Sequence, residues 1–235
     1  MGENGGTRLL SERYTDALGY AAEAHARQQR KSTASEDMPD EPGIPYVSHL
    51  LDVSARVLAD GGTEDEAIAG LLHDVVEDQG GMDRLEDVRT RFGGQVAAIV
   101  LASSDATDPE VKATQQWRER KQRHLDAMAT DPTPVLRVLA ADKLSNATAI
   151  LSDHRDIGNE VFRRFRPYQD AIAGTVPADD PDAALATTDP VRFSATCTLW
   201  YYTSAVVVLT EGLPGRLSSD LAATVHELVE RVGAA

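Results

Sequence analysis

The sequence predicts an all-α fold, and three observations carry that expectation. Apolar residues recur three and four apart along most of the chain, the spacing of helices with one buried stripe. Glycine pairs and prolines interrupt that spacing about once per helix length. Thr63 with Glu66 three residues later is a capping box that marks one helix start directly.

The elements follow in order. Arg8 to Arg30 sets Leu10, Tyr14, Ala17, Leu18, Ala21 and Ala24 on one face of a first helix, although Ser11 followed by Tyr14 makes no capping box there. Residues 32–45 hold Pro39, Pro42 and Pro45 among Ser, Glu and Asp, and read as a solvent loop. From Pro45-Tyr46 a helix carries Leu50, Val53, Val57 and Leu58 and stops at Gly61-Gly62. Thr63 opens a helix through Leu71 and Leu72 towards Asp78, ended by Gly80-Gly81. Arg84 to Phe92 and Gln95 to Ala102 are two more, divided by Gly93-Gly94. Trp117 to Ala129 is bounded by Pro132 and Pro134, Val135 to Leu151 is long and mostly apolar, and Gly158 to Tyr168 is again helical. Residues 174–190, with three prolines and four aspartates, read as a second surface loop. Val191 to Leu209 leaves two readings open: Thr196, Thr198 and Val206 to Val208 favour a strand, while length and helical surroundings favour a helix. Ser218 to Val232 closes the chain as a helix.

The 235 residues, 42% of them hydrophobic, suit a single sizeable domain over 1–235. Asp and Glu number 38 against 23 Lys and Arg, a formal charge of −15. That balance argues against broad nucleic-acid binding, which needs a basic surface. A small anionic ligand stays compatible, because a local basic pocket or a bound cation can reverse the field at one site. Cys197 is the only cysteine, so no intramolecular disulfide forms, as expected of a protein of the reducing cytoplasm. Its apolar neighbours make it a buried, inert thiol rather than a nucleophile. No apolar run is long enough for a signal peptide or a bilayer span, so no membrane association is expected.

The chemistry concentrates at Leu71-Leu72-His73-Asp74-Val75-Val76-Glu77-Asp78. On one continuous helix, His73 and Glu77 share a face, and so do Asp74 and Asp78. Three carboxylates on a buried face repel one another, and a divalent cation is the simplest compensation. Two adjacent ligands do not complete a shell. His49, early on the preceding helix, and Asp142, which interrupts the apolar run Val138 to Leu144, are candidates to extend it. Two imidazoles and two carboxylates suit Mn, Fe, Zn or Co without choosing among them. A surface pair remains the alternative for His73-Asp74 alone, and Lys143 could simply pair with Asp142. His25, His124, His154 and His226 lack such company and read as structural or surface residues.

Set in order, these residues resemble the HD superfamily, with His49, His73-Asp74 and Asp142 as its separated motif. More narrowly, the chain is similar to the hydrolase domain of the RelA/SpoT group and its small stand-alone relatives. The likeness runs through Ala24-His25, Arg30-Lys31-Ser32, Pro45-Tyr46, Glu77-Asp78, Phe92-Gly93 and Ala141-Asp142-Lys143-Leu144 with Asn146, across about residues 14–151. The resemblance implies an HD-domain helical bundle in which residues 152–235 add C-terminal helices. It implies hydrolysis of the 3′-diphosphate of ppGpp or pppGpp, with Mn²⁺ held by His49, His73, Asp74 and Asp142. It assigns Glu77 and Asp78 to the attacking water, Arg30 and Lys31 to the nucleotide pocket and Asn146 to the ribose region. Lys121 is a phosphate contact by the same resemblance, and Tyr201 a further substrate contact. Three features depart from the pattern: the long acidic loop with Glu36, Asp37, Asp40 and Glu41, Gln79 where the family usually has Thr, and the 174–190 segment. No synthetase domain follows, so alarmone synthesis is not expected. Alternatives are an HD phosphohydrolase acting on another nucleotide, such as the 2′-phosphate of NADPH, and an idle nucleotide-binding regulator. A homo-oligomer is left open.

Overall fold

The computed structural model describes residues 9–30, 43–104 and 115–234. Among them the chain is helical, and the one β-type pairing is an isolated antiparallel bridge between Gln29 and Pro45. Lys31 and residues 32–42 of the acidic loop lie outside the described residues. The loop's base is described: Arg30 N–H donates to Ile44 C=O and Tyr46 N–H to Gln28 C=O, each at 2.9 Å.

Helix α1 (Glu12–Ala24) is shorter than expected at both ends. Ser11 does cap it: its hydroxyl accepts from Arg13 N–H at 3.2 Å and donates to Glu64 at 2.6 Å. The start is therefore partly fixed by a residue 53 positions away, which no local pattern reveals. Helices α2 (Val47–Ala59) and α3 (Glu64–Leu72) pack against each other. Gly70 permits that closeness, since a Cβ there would lie 3.2 Å from Ser54 Cα. The capping box forms as expected, with Glu66 N–H on Thr63 Oγ1 and Thr63 N–H on Glu66 Oε2. Glu66 is buried and also paired with Arg137, which reaches Asp60 at 3.0 Å.

The expected continuous helix through Asp78 breaks. Helix α3 ends at Leu72, His73 and Asp74 form a turn, and α4 (Val75–Gln79) resumes. Adjacent positions on one helix point about 100° apart. In the turn both residues keep right-handed backbone angles, and His73 Nε2 comes within 3.0 Å of Asp74 Oδ2. Gly80, at φ +136°, stops α4 and leads to α5 (Gly81–Phe92), then α6 (Gly94–Ser103) and α7 (Trp117–Met128).

Helix α8 (Thr133–Ile157), with Pro134 in its first turn, is the central strut and packs on α2, α3 and α6. Leu50, Val53, Val57, Ile68, Leu71, Leu72, Val138 and Leu139 are at most 1% exposed. Each such side chain contributes roughly 1.5–3 kcal/mol of apolar burial. A 3₁₀ turn (Gly158–Arg164) and α9 (Arg166–Ile172) replace the single helix expected there. The 174–190 segment is more than a loop: it contains α10 (Ala183–Thr188), whose Ala186 packs on Phe193 and Cys197. Residues 190–212 resolve as helix α11 (Pro190–Gly212), and α12 (Arg216–Ala234) covers α8 and α11. Phe193, Cys197, Tyr201, Ala205 and Leu209 are buried four apart, and that helical stripe outweighs the strand propensity of the valines and threonines. Among the described residues no helix is long and apolar enough to cross a membrane.

Candidate metal centre

The turn at His73-Asp74, helix α2 and helix α8 converge on one point. Ligand-type atoms of His49, His73 and Asp74 all lie within 4.8 Å of one another. His73 Nε2 is 3.0 Å from Asp74 Oδ2, and His49 Nε2 is 3.8 Å from the same oxygen. Asp142 brings Oδ1 to 3.2 Å from His49 Nε2 and 3.6 Å from His73 Nε2. Both ring nitrogens are buried, and neither makes a hydrogen bond of acceptable geometry despite these close approaches. Such orphans are rare in interiors, where polar atoms find partners.

The rings' other nitrogens are engaged. His73 Nδ1 donates to Gly70 C=O at 2.9 Å, because a carbonyl can only accept. In the neutral ring that leaves the Nε2 lone pair facing the cluster, the arrangement of a metal-ligating histidine. His49 Nδ1 is 3.0 Å from Ser145 Oγ, which orients that ring. Tyr46 donates its hydroxyl hydrogen bond to Asp74 Oδ2. The donor set fits a divalent ion.

Charge in the cluster is strongly coupled. Burial disfavours ionisation of Asp74, but His73 and His49 outweigh it and hold the carboxyl below the usual range. Asp142 is held well below that range in the same way, with Lys143 as the largest opposing influence. Burial works against a charged His73, yet Asp74 and Asp142 raise its pKa well above the ordinary value. Asp142 does pair with Lys143, Oδ2 accepting from Nζ at 2.5 Å, and its Oδ1 faces the imidazoles.

The remaining candidates divide. Asn146 donates to Asp142 Oδ1 and accepts from Arg30 Nη2 at 3.1 Å, so Arg30 reaches the cluster's edge through Asn146. Glu77 is half-buried, and Asp78 is exposed on α4. Tyr201 is buried, with Lys143 Nζ 5.7 Å and Lys121 Nζ 4.7 Å from its ring centre, and its hydroxyl has no hydrogen-bond partner. Lys121 and Tyr201 thus adjoin the centre through Lys143. His25 is buried and stacked on Tyr46 at 5.1 Å, His154 bonds Asn159, and His226 is exposed beside Glu230. Sequence reasoning gave no role to Gln28, Tyr46 or Ser145. Tyr46 stood inside a quoted motif, and Ser145 lies between Asp142 and Asn146. Gln28 carried no signal at all.

A cavity of about 640 Å³ lies elsewhere, lined by Trp117, Arg118, Phe193, Cys197, Trp200 and Pro177 among others, and contains none of the predicted site residues.

A helical fold that gathers separated His, His-Asp and Asp residues defines an HD-type domain. A family profile described as "HD domain" matches residues 17–167, and the chain belongs to that family. It is 33% identical over 138 residues to the guanosine-3′,5′-bis(diphosphate) 3′-pyrophosphohydrolase MESH1 of Drosophila melanogaster, covering 58% of this chain and 68% of that one. It is 31% identical over 140 residues to the guanosine-3′,5′-bis(diphosphate) 3′-pyrophosphohydrolase of Aquifex aeolicus, of whose length the match spans only 18%. A solved structure described as a metazoan ortholog of SpoT that hydrolyses ppGpp superposes with a TM-score of 0.60 at 22% identity, over 92% of this chain and 96% of that one. At that identity the likeness is one of fold.

Proposed function

We propose that the protein is a metal-dependent phosphohydrolase that removes the 3′-diphosphate of ppGpp or pppGpp, releasing pyrophosphate and GDP or GTP. The observation that carries this reading is the pair of buried, unbonded Nε2 atoms of His49 and His73 facing Asp74 and Asp142. The similarity to enzymes named for this reaction supplies the substrate. His49, His73, Asp74 and Asp142 hold the ion, which we read as Mn²⁺. A divalent cation polarises water and offsets charge on a phosphoryl oxygen.

The chain's own residues do the rest. Glu77 and Asp78, on the helix that follows Asp74, orient the attacking water and accept its proton. Water supplies the oxygen added to phosphorus, and the ribose 3′-oxygen leaves and recovers a proton. Arg30 and Lys31 bind the polyanion, Arg30 with a planar face suited to a purine and Lys31 as a point charge. Asn146 contacts the ribose side, and Lys121 and Tyr201 flank a phosphate. The reading, with a single cysteine and so no intramolecular disulfide, places the protein in the reducing cytoplasm.

Purified protein with Mn²⁺ and ppGpp should release pyrophosphate. Orthophosphate from other nucleotides, the 2′-phosphate of NADPH included, with none released from ppGpp, would sink the substrate assignment. Glu77→Ala and Asp78→Ala should each abolish turnover with the bound metal retained by elemental analysis. Survival of activity in both would remove the role given to this pair.

A further inference from the structure

The side-chain amide of Gln28 makes three hydrogen bonds and joins three groups beside the centre. Gln28 Oε1 accepts from His25 Nδ1 and from Gln79 Nε2, each at 2.7 Å. Gln28 Nε2 donates to Asp78 Oδ2 at 2.8 Å. These directions are forced, because an amide oxygen only accepts, an amide nitrogen only donates and a carboxylate only accepts. The backbone belongs to the same frame: Gln28 C=O accepts Tyr46 N–H at 2.9 Å, and the Tyr46 hydroxyl donates to Asp74. His25, 3% exposed, anchors the inner end by stacking on Tyr46 with ring planes 27° apart.

Asp78 takes a hydrogen bond from this frame. It is exposed, on a five-residue helix that ends at Gly80 with φ +136°. The bond from Gln28 Nε2 restricts the rotamers open to that carboxylate. Reactions that depend on a placed carboxylate lose rate when the placement loosens by an ångström.

We propose that Gln28 is a positioning residue: it ties the Asp78 carboxylate and Gln79 to the Tyr46–Asp74 pair, and it acts on turnover through Asp78. This rests on the reading of Asp78 given above. Gln28 touches neither the metal cluster nor a reacting atom.

Two substitutions separate positioning from packing. Gln28→Met keeps the bulk and removes the polar frame. Gln28→Glu keeps the shape and the acceptor but replaces the donor with a charge that repels Asp78. Positioning through the donated bond orders kcat as Gln28, then Met, then Glu, with Gln28→Glu down roughly 10–100-fold, the range typical of outer-shell partners. KM for ppGpp stays within about twofold and metal content is unchanged, as expected when only a transition-state interaction is lost. A Gln28→Glu protein that keeps at least half of kcat, or that loses metal in step with rate, overturns the proposal. The second readout does not depend on turnover. The ¹⁵N–¹H resonances of the Gln28 side-chain amide should move in Asp78→Asn and in Gln79→Ala. Unmoved resonances overturn the frame. A wild-type protein inactive on ppGpp overturns the substrate reading alone, and the resonances then decide the frame.

Discussion

Two regions of the molecule bury charged groups, and they do so in opposite ways. At the metal cluster, two imidazoles and two carboxylates crowd together, and two buried nitrogens make no hydrogen bond. At the cavity between α7 and α11, Arg118 lies 4.8 Å over the Trp200 ring and is tied by Nε to Asp180 at 3.0 Å and by Nη2 to Asp182 at 2.6 Å. One region pairs its guanidinium with carboxylates, and the other gathers a donor set that fits a divalent cation. The cavity has the volume and the cluster has the unmet valence. The proposed centre therefore follows the clustered His and Asp residues rather than the available space.

The sharpest way to break this contrast is to remove a ligand. His73→Ala or Asp142→Ala should lower metal affinity by more than the ~10–100-fold that loss of an outer-shell partner costs. Elemental analysis and turnover should fall together. Retention of stoichiometric metal by both variants would show that the orphan nitrogens are not ligands. Ser145→Ala is a smaller perturbation of the same region, because it leaves His49 in place and removes only the hydroxyl on Nδ1. It should weaken metal binding by about 10-fold, at the lower end of that range.

The cavity should answer differently. Arg118→Ala leaves the Asp180 side chain, only 7% exposed, without its guanidinium. Breaking a fully buried pair costs ~3–5 kcal/mol, but Arg118 is 20% exposed, so the expected loss is about 2 kcal/mol. Denaturant melts should show that loss while kcat stays within about twofold of wild type. A collapse of kcat with stability intact would mean that the cavity belongs to the active site.

How far the sequence foretold these regions differs between them for physical reasons. Apolar spacing and the Thr63–Glu66 box are local, so the bounds of α2, α5, α6 and α7 and the start of α3 were legible to within about three residues, while α8 runs on to Ile157, beyond the apolar run that marked it. The ligand residues were legible because ionisable groups inside apolar runs are costly and need an explanation. The break at His73-Asp74 was not, since both residues are helix-compatible and the turn is read only from the backbone and the His73–Gly70 bond. Nor was Gln28, because a polar residue on a part-exposed segment breaks no periodic pattern. The 174–190 segment looked like a loop from its prolines and aspartates. Its aspartates bind Arg118 more than 60 positions away, a pairing no local window contains.

The smallest expected effect lies in the cavity wall. Burial pushes the Cys197 thiol up to about 12 from an ordinary 9.0, with Arg118 partly opposing and Asp180 and Asp182 reinforcing. A thiol that stays neutral in the fold but ionises in the unfolded chain stabilises fully below the unfolded value. That contribution is lost as pH rises from about 9 towards about 12. Other groups titrate in the same window, so the informative quantity is the difference between wild type and Cys197→Ala. Their Tm gap should be constant up to pH 9 and then narrow as the wild type loses its advantage. Iodoacetamide should leave the folded protein unlabelled at pH 8 and label it once unfolded. Ready labelling of the native thiol at pH 8 would mean that the cavity wall opens, and the contrast between a satisfied region and an unsatisfied one would need redrawing.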